Sequence, residues 1–352
     1  RDGMSDRESW RKLGAAGFLG PNAPAEYGGG GVDFLFDAIV VEEMARVRAH
    51  GLMMALHSDV CMPYITSYGT EAQKHRYLPG ACSGDLILAI GMTEPGTGSD
   101  LAAVKTNARR DGDSWVINGA KTFISNGQIS DAVILVVKTD TNVQPGHRGI
   151  SLIMVDRDSP GFVRGRKLDK LGFKGQDTSE LFFEDCRVPL TNLLGQEGQG
   201  FKMLMEKLQQ ERLTTAVGSL ASARRCLDDT IAYTKQRRAF GQPIANFQNT
   251  QFKLAEMATE IEAARQLMYF VATEVDSKRR CDKEASMAKL FASEMAERVT
   301  SQALQIHGGY GYTKDFPLER YWRDARLTKI FECTSEIQLR IISDRLLPRA
   351  RK

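Results

Sequence analysis

The sequence predicts an α+β protein built from three parts, and three observations predict them. Apolar residues recur at helical spacing at both ends of the 352-residue chain. Between the ends the spacing changes to short β-branched runs that are separated by turn residues. Beyond residue 197 the helical period returns and stays, which is typical of a helical bundle. We therefore expect an N-terminal helical domain over 1–88, a central antiparallel β domain over 89–196 and a C-terminal four-helix bundle over 197–352.

The N-terminal part shows the helical period twice. The run Gly28–Gly31 precedes the first stripe and predicts a loop. No strand precedes these glycines and no G-x-G-x-x-G pattern follows them, so they do not predict a phosphate-binding turn. Since the first methionine is Met4, we expect the native start to be missing, and no targeting segment can be recognised. The two apolar stripes consist of Phe36, Ile39, Val40 and Met44, and of Met53, Leu56 and Val60.

Short β-branched runs predict strands in the central part. Ala132–Val137 and Ile150–Val155 are such runs, and both end at turn residues. Trp115–Phe123 is predicted to form a hairpin, because Asn118–Gly119 is the favoured pair for a two-residue type I′ turn. Strands and turns in this arrangement predict an antiparallel all-β domain, either a small barrel or a sandwich.

Four helices are predicted in the C-terminal part, because apolar residues keep one helical period there. The links between them are short, and this predicts an up-down bundle. Thr334 and Ser335 can each cap the last helix, and Ser335 with Gln338 matches the capping box S-x-x-Q. The predicted helices cover Phe201–Ile231, Gln248–Asp276, Asp282–His307 and a final segment that ends by Pro348.

The composition is that of an ordinary globular protein, with 42% hydrophobic and 26% charged residues. A net charge of +3 gives no support to a nucleic-acid surface, which should show clustered Lys and Arg. No apolar run approaches the roughly 20 residues of a membrane span. The six cysteines contain no C-x-x-C pair and the five histidines no H-x-x-x-H spacing. We therefore expect no metal site and a reducing, intracellular compartment.

Five separated motifs contain residues that could bind a ligand or carry chemistry. The two glycines of the first motif let the backbone approach a ligand closely, and the arginines of the third can grip phosphate. In the fifth, Glu332 lies before a predicted helix N-terminus, whose free N–H groups favour a negative group or a carbonyl oxygen. Each motif taken alone is more often a turn, a core hairpin or a helix cap. The motifs are Met92–Asp100, Lys121–Gly127, Lys235–Gly241, Gln305–Gly311 and Phe331–Gln338.

At these five motifs, in this order, the chain resembles the acyl-CoA dehydrogenase family. The resemblance implies a central β-barrel, FAD as cofactor, an acyl-CoA thioester as substrate and electron-transferring flavoprotein as the electron acceptor. It also implies a homo-oligomer, a dimer or a tetramer, in the cytoplasm or the mitochondrial matrix. Family members usually begin with a further helix or two, so the resemblance implies that the N-terminal domain is truncated at its start.

The resemblance assigns FAD contacts to all five motifs. Thr93 would hydrogen-bond the flavin ring, and Ser99 would lie between the ring and the substrate. Phe123 would cover the ring at a position where the family has Trp. Arg237 would bind the pyrophosphate, and Gln305–Gly309 would reach the nucleotide half of the flavin from a neighbouring subunit. The implied contacts are Ile90, Met92, Thr93, Gly98, Ser99, Phe123, Ile124, Ser125, Arg237, Phe240, Gln248, Gln305, Ile306, Gly308, Gly309, Thr334 and Glu336.

The resemblance also implies the chemistry. Glu332 would take the α-proton of the thioester while the β-hydrogen leaves as hydride to flavin N5, which gives a trans-2-enoyl-CoA. The family places its base at either of two sequence positions, and both carry Glu here, so Glu211 is the rival base. Cys333 stands beside the base where the family has Gly. The implied substrate contacts are Ser99, Arg212, Phe331 and Cys333, and no metal is implied.

Two alternative functions stay open. The first is an oxidase on the same fold that passes its electrons to oxygen, and no residue of the sequence decides between it and a dehydrogenase. The second is a flavin-binding relative that associates with nucleic acid, which predicts a basic C-terminal extension or patch. Only Arg349, Arg351 and Lys352 are basic beyond the last predicted helix, so we do not expect the second function.

Overall fold

The computed structural model describes residues 3–347 of the chain. Helices come first, a β-sheet follows and helices return, so the predicted α+β class and the predicted order of its parts are confirmed. Within these residues the helices are α1 (Arg7–Ala15), α2 (Phe34–Arg46), α3 (Met62–Tyr68), α4 (Glu71–Ser83), α5 (Gly200–Gln236), α6 (Gln248–Asp276), α7 (Asp282–His307), α8 (Leu318–Leu327) and α9 (Ser335–Leu346). The strands are β1 (Leu88–Gly91), β2 (Asn107–Asp111), β3 (Ser114–Ser125), β4 (Ala132–Lys138), β5 (Ile150–Asp156), β6 (Phe162–Lys167), β7 (Thr178–Pro189), β8 (Leu193–Leu194), β9 (Arg238–Ala239) and β10 (Gln242–Pro243).

Side-chain caps fix where N-terminal helices begin. The Asp6 carboxylate accepts a hydrogen bond from the Ser9 backbone N–H and so caps α1. At α4, Thr70 and Gln73 form a complete capping box, in which each side chain binds the backbone N–H of the other residue. The second predicted stripe does not form a regular α-helix, because a π-helical turn, Leu56–Cys61, leads directly into α3.

The hairpin predicted at Trp115–Phe123 is wrong, because β3 runs through Asn118–Gly119 without a turn. The turn lies ahead of β3 instead, between β2 and β3, which pair antiparallel. Gly119 allows a close approach of the backbone: a Cβ at this position would lie 2.5 Å from Thr106 Oγ1. The register between β3 and β7 shifts at this point, so the Asn-Gly pair marks a bulge and not a hairpin turn.

The sheet is mainly, but not wholly, antiparallel. Its strand order is β6-β7-β3-β2-β4-β5-β8, and β1 pairs with β4. β1 runs parallel to β4 with Leu88 opposite Ala132, and β2 meets β4 in parallel at Asn107 and Lys138. Parallel neighbours need a long connection, and the chain from β1 to β4, which includes β2 and β3, supplies it. The domain that was predicted as antiparallel therefore also contains parallel strand pairs.

β4 separates two apolar cores, and this explains its unbroken hydrophobic run. Ala132, Ile134 and Val136 belong to a core that also contains buried residues of α3 and α4. Val133, Leu135 and Val137 belong to a second core that includes Trp115 and Phe183. A strand that is buried on both faces needs apolar residues at every position, because successive side chains point to opposite faces.

One helix of the C-terminal part was not predicted. In α8 only Leu318, Tyr321, Asp324 and Ala325 are buried, and charged residues fill most of its remaining positions. Such a short apolar stripe does not stand out from the sequence. The other predicted helices of this part correspond to α5, α6, α7 and α9, although α9 has only 12 residues.

The capping box predicted at the start of the last helix is also corrected. Thr334 is the N-cap of α9, and its hydroxyl oxygen accepts the hydrogen bond from the Ile337 N–H. Ser335 is already helical, and its hydroxyl donates to Glu294 Oε1 at 3.0 Å. α9 ends at Leu346; Pro348, the predicted limit of this helix, and the basic residues that follow it lie outside the described residues.

The described chain divides into two compact units. The first contains residues 3–37, 51–170 and 174–208, and the second contains 38–50, 171–173 and 209–347. The sheet β1–β8 therefore lies in the first unit, and α6 to α9 lie in the second. No helix within residues 3–347 combines the length and the apolar character that crossing a bilayer requires.

Candidate active site

The loop that follows β1 carries several of the predicted ring contacts. Glu94 and Thr97 exchange two backbone hydrogen bonds, which fold the loop into a tight turn. A Cβ at Gly98 would meet no other atom within 4 Å, so the space beside this part of the loop is open. Of the predicted contacts in this segment Ile90 is buried, whereas the partly or fully exposed ones are Met92, Thr93, Gly98 and Ser99.

A buried ion pair holds this loop to β3. Lys121 Nζ lies 2.9 Å from Glu94 Oε1 and donates to the Met92 carbonyl oxygen at 3.2 Å. The Glu94 carboxylate also accepts hydrogen bonds from the backbone N–H groups of Lys105 and Thr106. Burial lowers the pKa of Lys121 to about 8, although the carboxylate of Glu94 acts in the opposite direction. Burial raises the pKa of Glu94, but Lys121 and the N–H donors more than offset it, so this pKa is lowered overall.

The end of β3 presents an exposed aromatic ring. Phe123 has a φ of 59°, a left-handed conformation that bulky residues rarely adopt, and it is 66% exposed. Ile124 is buried and Ser125 is partly exposed. The Thr122 N–H donates to the Thr93 carbonyl oxygen at 3.0 Å and so joins β3 to the loop. An exposed ring on a strained backbone, beside an open glycine-containing loop, fits a planar aromatic ligand such as a flavin ring.

Sequence reasoning assigned no role to Asn126, which organises this part of the site. Its side chain is fully buried; Nδ2 donates to the Leu88 carbonyl oxygen, and Oδ1 accepts from Gln176 Nε2. Asn126 thereby ties the end of β3 to the start of β1. A signal was available, because an Asn-Gly pair at the end of a β run favours a left-handed backbone, and the φ of Asn126 is 61°.

A cleft of about 480 Å³ in the second unit contains Arg237, the predicted pyrophosphate contact. The Arg237 guanidinium carbon lies 5.6 Å from the centroid of the Tyr310 ring. The rings of Tyr233 and His307 stack with their centroids 4.0 Å apart. Burial lowers the pKa of His307, which favours the neutral imidazole. An exposed guanidinium beside aromatic rings suits an anionic ligand that carries a planar group, as a nucleotide does.

The other predicted nucleotide contacts in this unit lie mainly at its surface. Phe240 is 96% exposed and has a φ of 49°. Gly308 has a φ of 60°, which favours glycine. A phenyl ring as exposed as that of Phe240 gains burial only from a ligand or another chain. The exposed residues are Phe240, Gln248, Gln305, Gly308 and Gly309, and Ile306 is partly exposed.

Glu332, the predicted base, lies in a strained loop between α8 and α9. The φ of Glu332 is 49° and that of Cys333 is 70°, so two consecutive non-glycine residues are left-handed, at about 1–2 kcal/mol each. Gln338 Nε2 donates to the carbonyl oxygens of Glu332 and Cys333 at 3.1 and 3.2 Å. Lys289 Nζ donates to the Cys333 carbonyl oxygen at 2.8 Å. Cys333 therefore adopts a backbone conformation that favours glycine, the residue that the family has at this position.

The structure brings the predicted base and its rival together. Glu211, on α5, is 1% exposed, and its carboxyl group acts as a hydrogen-bond donor to the carboxylate of Glu332. Such a bond requires the proton to lie on Glu211. Burial raises the pKa of Glu332, whereas the bond to Glu211 and the charges of Lys289 and Arg212 act to lower it. Arg212 is also buried, and its Nη2 lies 4.0 Å from Cys333 Sγ.

The remaining residues predicted in this loop have mixed surroundings. Phe331 is partly exposed. The Thr334 hydroxyl oxygen is engaged as the cap of α9. Glu336 is exposed, and hydrogen bonds from its own N–H and from the Thr334 hydroxyl lower the pKa of its carboxyl group. Sequence reasoning assigned no role to Lys289, which lies on the buried face of α7.

Family models match the chain along nearly its whole length. The model for the acyl-CoA dehydrogenase N-terminal domain matches residues 1–85, that for the middle domain 89–186 and that for the C-terminal domain 198–347. The mitochondrial long-chain specific acyl-CoA dehydrogenase of Mus musculus is 43% identical over 345 residues, which cover 98% of this chain and 80% of the relative. The mitochondrial short-chain specific enzyme of the same species is 42% identical over 338 residues, which cover 96% and 82%.

A solved structure agrees with this match. The crystal structure of an acyl-CoA dehydrogenase from Geobacillus kaustophilus superposes with a TM-score of 0.96 at 48% identity, over 98% of this chain and 91% of that one. The fold and its matches define a flavoprotein oxidoreductase. The chain belongs to the acyl-CoA dehydrogenase family, and the predicted family and enzyme class are confirmed. Within residues 3–347 no group of three or more His, Cys, Asp or Glu side chains is placed to hold a metal ion.

Proposed function

We propose that the protein is an FAD-dependent acyl-CoA dehydrogenase in which Glu332 removes the α-proton of the thioester and a trans-2-enoyl-CoA is released. One observation carries this proposal: the Glu332 carboxyl group lies in a cluster with a second carboxyl group and two buried cations, from Arg212 and Lys289. The names of the long-chain and short-chain specific relatives support acyl-CoA as the class of substrate.

FAD, when bound, supplies the acceptor for the β-hydride, and the chain supplies its position. We infer that Thr93 and Ser125 offer hydrogen bonds to the ring and that Phe123 packs against it. These residues are joined by the Thr122–Thr93 backbone bond and by the buried Lys121 ion pair, so they form one rigid platform. Arg237, with its exposed guanidinium beside aromatic rings, is suited to a charge-assisted bond with the diphosphate.

Glu332 has to be ionised before it can accept the α-proton of a thioester, which is a weak carbon acid. A poorly solvated carboxylate is a stronger base than one in water, and burial raises the pKa of Glu332 in that sense. Since Glu332 works in its deprotonated form, flavin reduction is expected to slow as the pH falls through this raised pKa. The positive charges of Arg212 and Lys289 favour the carboxylate of Glu332, so they reduce this loss of rate at low pH.

We further propose that electron-transferring flavoprotein, and not oxygen, reoxidises the enzyme, and that the chain works as an intracellular homo-oligomer. The exposed residues Arg237 and Gln305 support the second point, because the family resemblance assigns them to contacts across a subunit boundary. Substrate class and electron acceptor are tested together. We expect a panel of acyl-CoAs to yield 2-enoyl-CoA, detected by mass, with electron-transferring flavoprotein as acceptor and with little oxygen uptake. Rapid oxygen consumption with each substrate would identify an oxidase instead.

Arg237→Ala is expected to weaken FAD binding about 10–100-fold, because one charge-assisted hydrogen bond to the diphosphate is lost. FAD released on dilution, measured by its fluorescence, checks this. Arg238→Ala is the matched control, because the Arg238 guanidinium already donates to the Gly241 carbonyl oxygen at 2.7 Å. Equal retention of FAD by the Arg237→Ala and wild-type proteins, or tight FAD binding by a monomer in light scattering, contradicts the proposed contact.

A further inference from the structure

Lys289 is a buried cation that the reaction outlined above uses only as a nearby positive charge. It lies on α7 with none of its surface exposed, and its ammonium donates to the Cys333 carbonyl oxygen at 2.8 Å. A buried ammonium loses its hydration, and an apolar side chain would fill the same volume without that loss. Burial lowers the pKa of Lys289 to about 8, while Cys333 and Glu332 act to raise it. The retained charge therefore calls for a function in the Glu332 loop.

The charged and titratable groups around Lys289 come from three elements. Glu211 and Arg212 belong to α5, and Glu332 and Cys333 belong to the loop before α9. On α7 itself Glu294 contributes, but its carboxylate is paired with Lys329 at 2.9 Å. Two carboxyl groups thus face two buried cations. The hydrogen bond from Glu211 favours the carboxylate form of Glu332, and the charge of Lys289 acts in the same direction.

We propose, on the basis of the function proposed above, that Lys289 is a positioning residue for the α-proton base: its ammonium holds the strained Glu332–Cys333 backbone in place and keeps Glu332 in its carboxylate form. Both effects come from one atom. The hydrogen bond from Nζ restrains the Cys333 carbonyl group, together with Gln338, in a backbone that two non-glycine residues rarely adopt. The positive charge of the same nitrogen favours the ionised carboxyl group nearby.

The two effects can be separated by three substitutions. Lys289→Met removes both the charge and the hydrogen bond at similar volume. Lys289→Gln removes the charge but keeps a donor, and Lys289→Arg keeps the charge. The measurement is the rate of flavin reduction in the holoenzyme, followed by absorbance after anaerobic mixing with saturating acyl-CoA, as a function of pH.

In Lys289→Met and Lys289→Gln we expect the acid limb of the rate profile to move to higher pH by about one unit, so that reduction is about tenfold slower on the acid side. The rate should recover at high pH, and more fully in Lys289→Gln, which keeps a donor for the Cys333 carbonyl group. Lys289→Arg should keep the acid limb near its wild-type position. A merely structural role for Lys289 would instead lower the rate equally at every pH.

Lys283→Met is the matched control, because Lys283 lies on the same helix as Lys289 but pairs with Glu284. The acid limb of the rate profile should not move in this variant. An unchanged acid limb in both Lys289→Met and Lys289→Gln overturns the inference, and so does the same shift in Lys283→Met. If the wild-type protein itself shows no flavin reduction with any acyl-CoA, the proposed function fails and this inference fails with it. If the wild type is reduced normally and only the shift is missing, the inference alone is rejected.

Discussion

Glu332→Gln is expected to slow flavin reduction by acyl-CoA by more than the ~10²–10⁴-fold that is typical of losing a general base. Glutamine occupies nearly the same volume but cannot accept the α-proton. Glu211→Gln should slow the reaction far less, because the glutamine amide can still donate a hydrogen bond to the Glu332 carboxylate. The measurement is anaerobic flavin reduction in each holoenzyme. The difference between the two variants assigns the base.

The exposure of the two carboxyl residues favours this assignment. Glu211 is 1% exposed, whereas Glu332 is partly exposed in a loop. A catalytic base must contact the substrate, and the partly exposed Glu332 is accessible to it. The buried Glu211 is better placed to donate a hydrogen bond to the base. Glu211→Ala provides the control, since it removes the donor that Glu211→Gln preserves. Collapse of the reaction in Glu211→Gln with near-normal reduction in Glu332→Gln would reverse the roles, and near-normal reduction in both would remove the base hypothesis.

Lys121→Met is expected to reduce the free energy of unfolding by about 3–5 kcal/mol, which is the usual cost of leaving one partner of a buried ion pair alone. Lys121 has none of its side chain exposed and Glu94 has 6%. The substitution also frees the loop before β2 from β3, so FAD retention should fall. Urea unfolding of the FAD-free protein, followed by circular dichroism, measures the stability change.

Two further variants test the cause of this loss. The double variant Lys121→Met with Glu94→Gln should recover part of the stability, because no unpaired charge remains in the interior. Lys12→Met is the surface control: Lys12 and Glu8 form an ion pair at 2.7 Å with 74% of each side chain exposed. Loss of this surface ion pair should change the free energy of unfolding by no more than about 0.5 kcal/mol. A Lys121→Met protein as stable as the wild type would show that the ion pair does not hold this loop.

Helical periodicity and short motifs predict most of this fold from the sequence. The long helices α5 to α7 have extended apolar stripes, and the predicted order of domains follows from them. α8 was missed because only four of its residues are buried. The hairpin turn predicted at Asn118–Gly119 is wrong because turn preference depends only on neighbouring residues. The close approach of Thr106 to Gly119 arises only in the folded sheet.

The candidate site was predicted less completely, and the reason lies in long-range contacts. Glu332 and Glu211 are 121 positions apart, and the family resemblance implies only that either could be the base; the hydrogen bond between their carboxyl groups forms once both elements are folded. The same holds for Lys289, whose partner is a backbone carbonyl group of a distant loop. A backbone acceptor leaves no residue type in the sequence by which it could be recognised.

Anaerobic titration of the wild-type protein with acyl-CoAs of different chain lengths tests whether the protein dehydrogenates acyl-CoA. We expect at least one acyl-CoA to bleach the flavin absorbance when about one equivalent has been added per subunit, and 2-enoyl-CoA to form in equal amount. Flavin that stays oxidised with every acyl-CoA, although the protein binds FAD, would rule out acyl-CoA dehydrogenation.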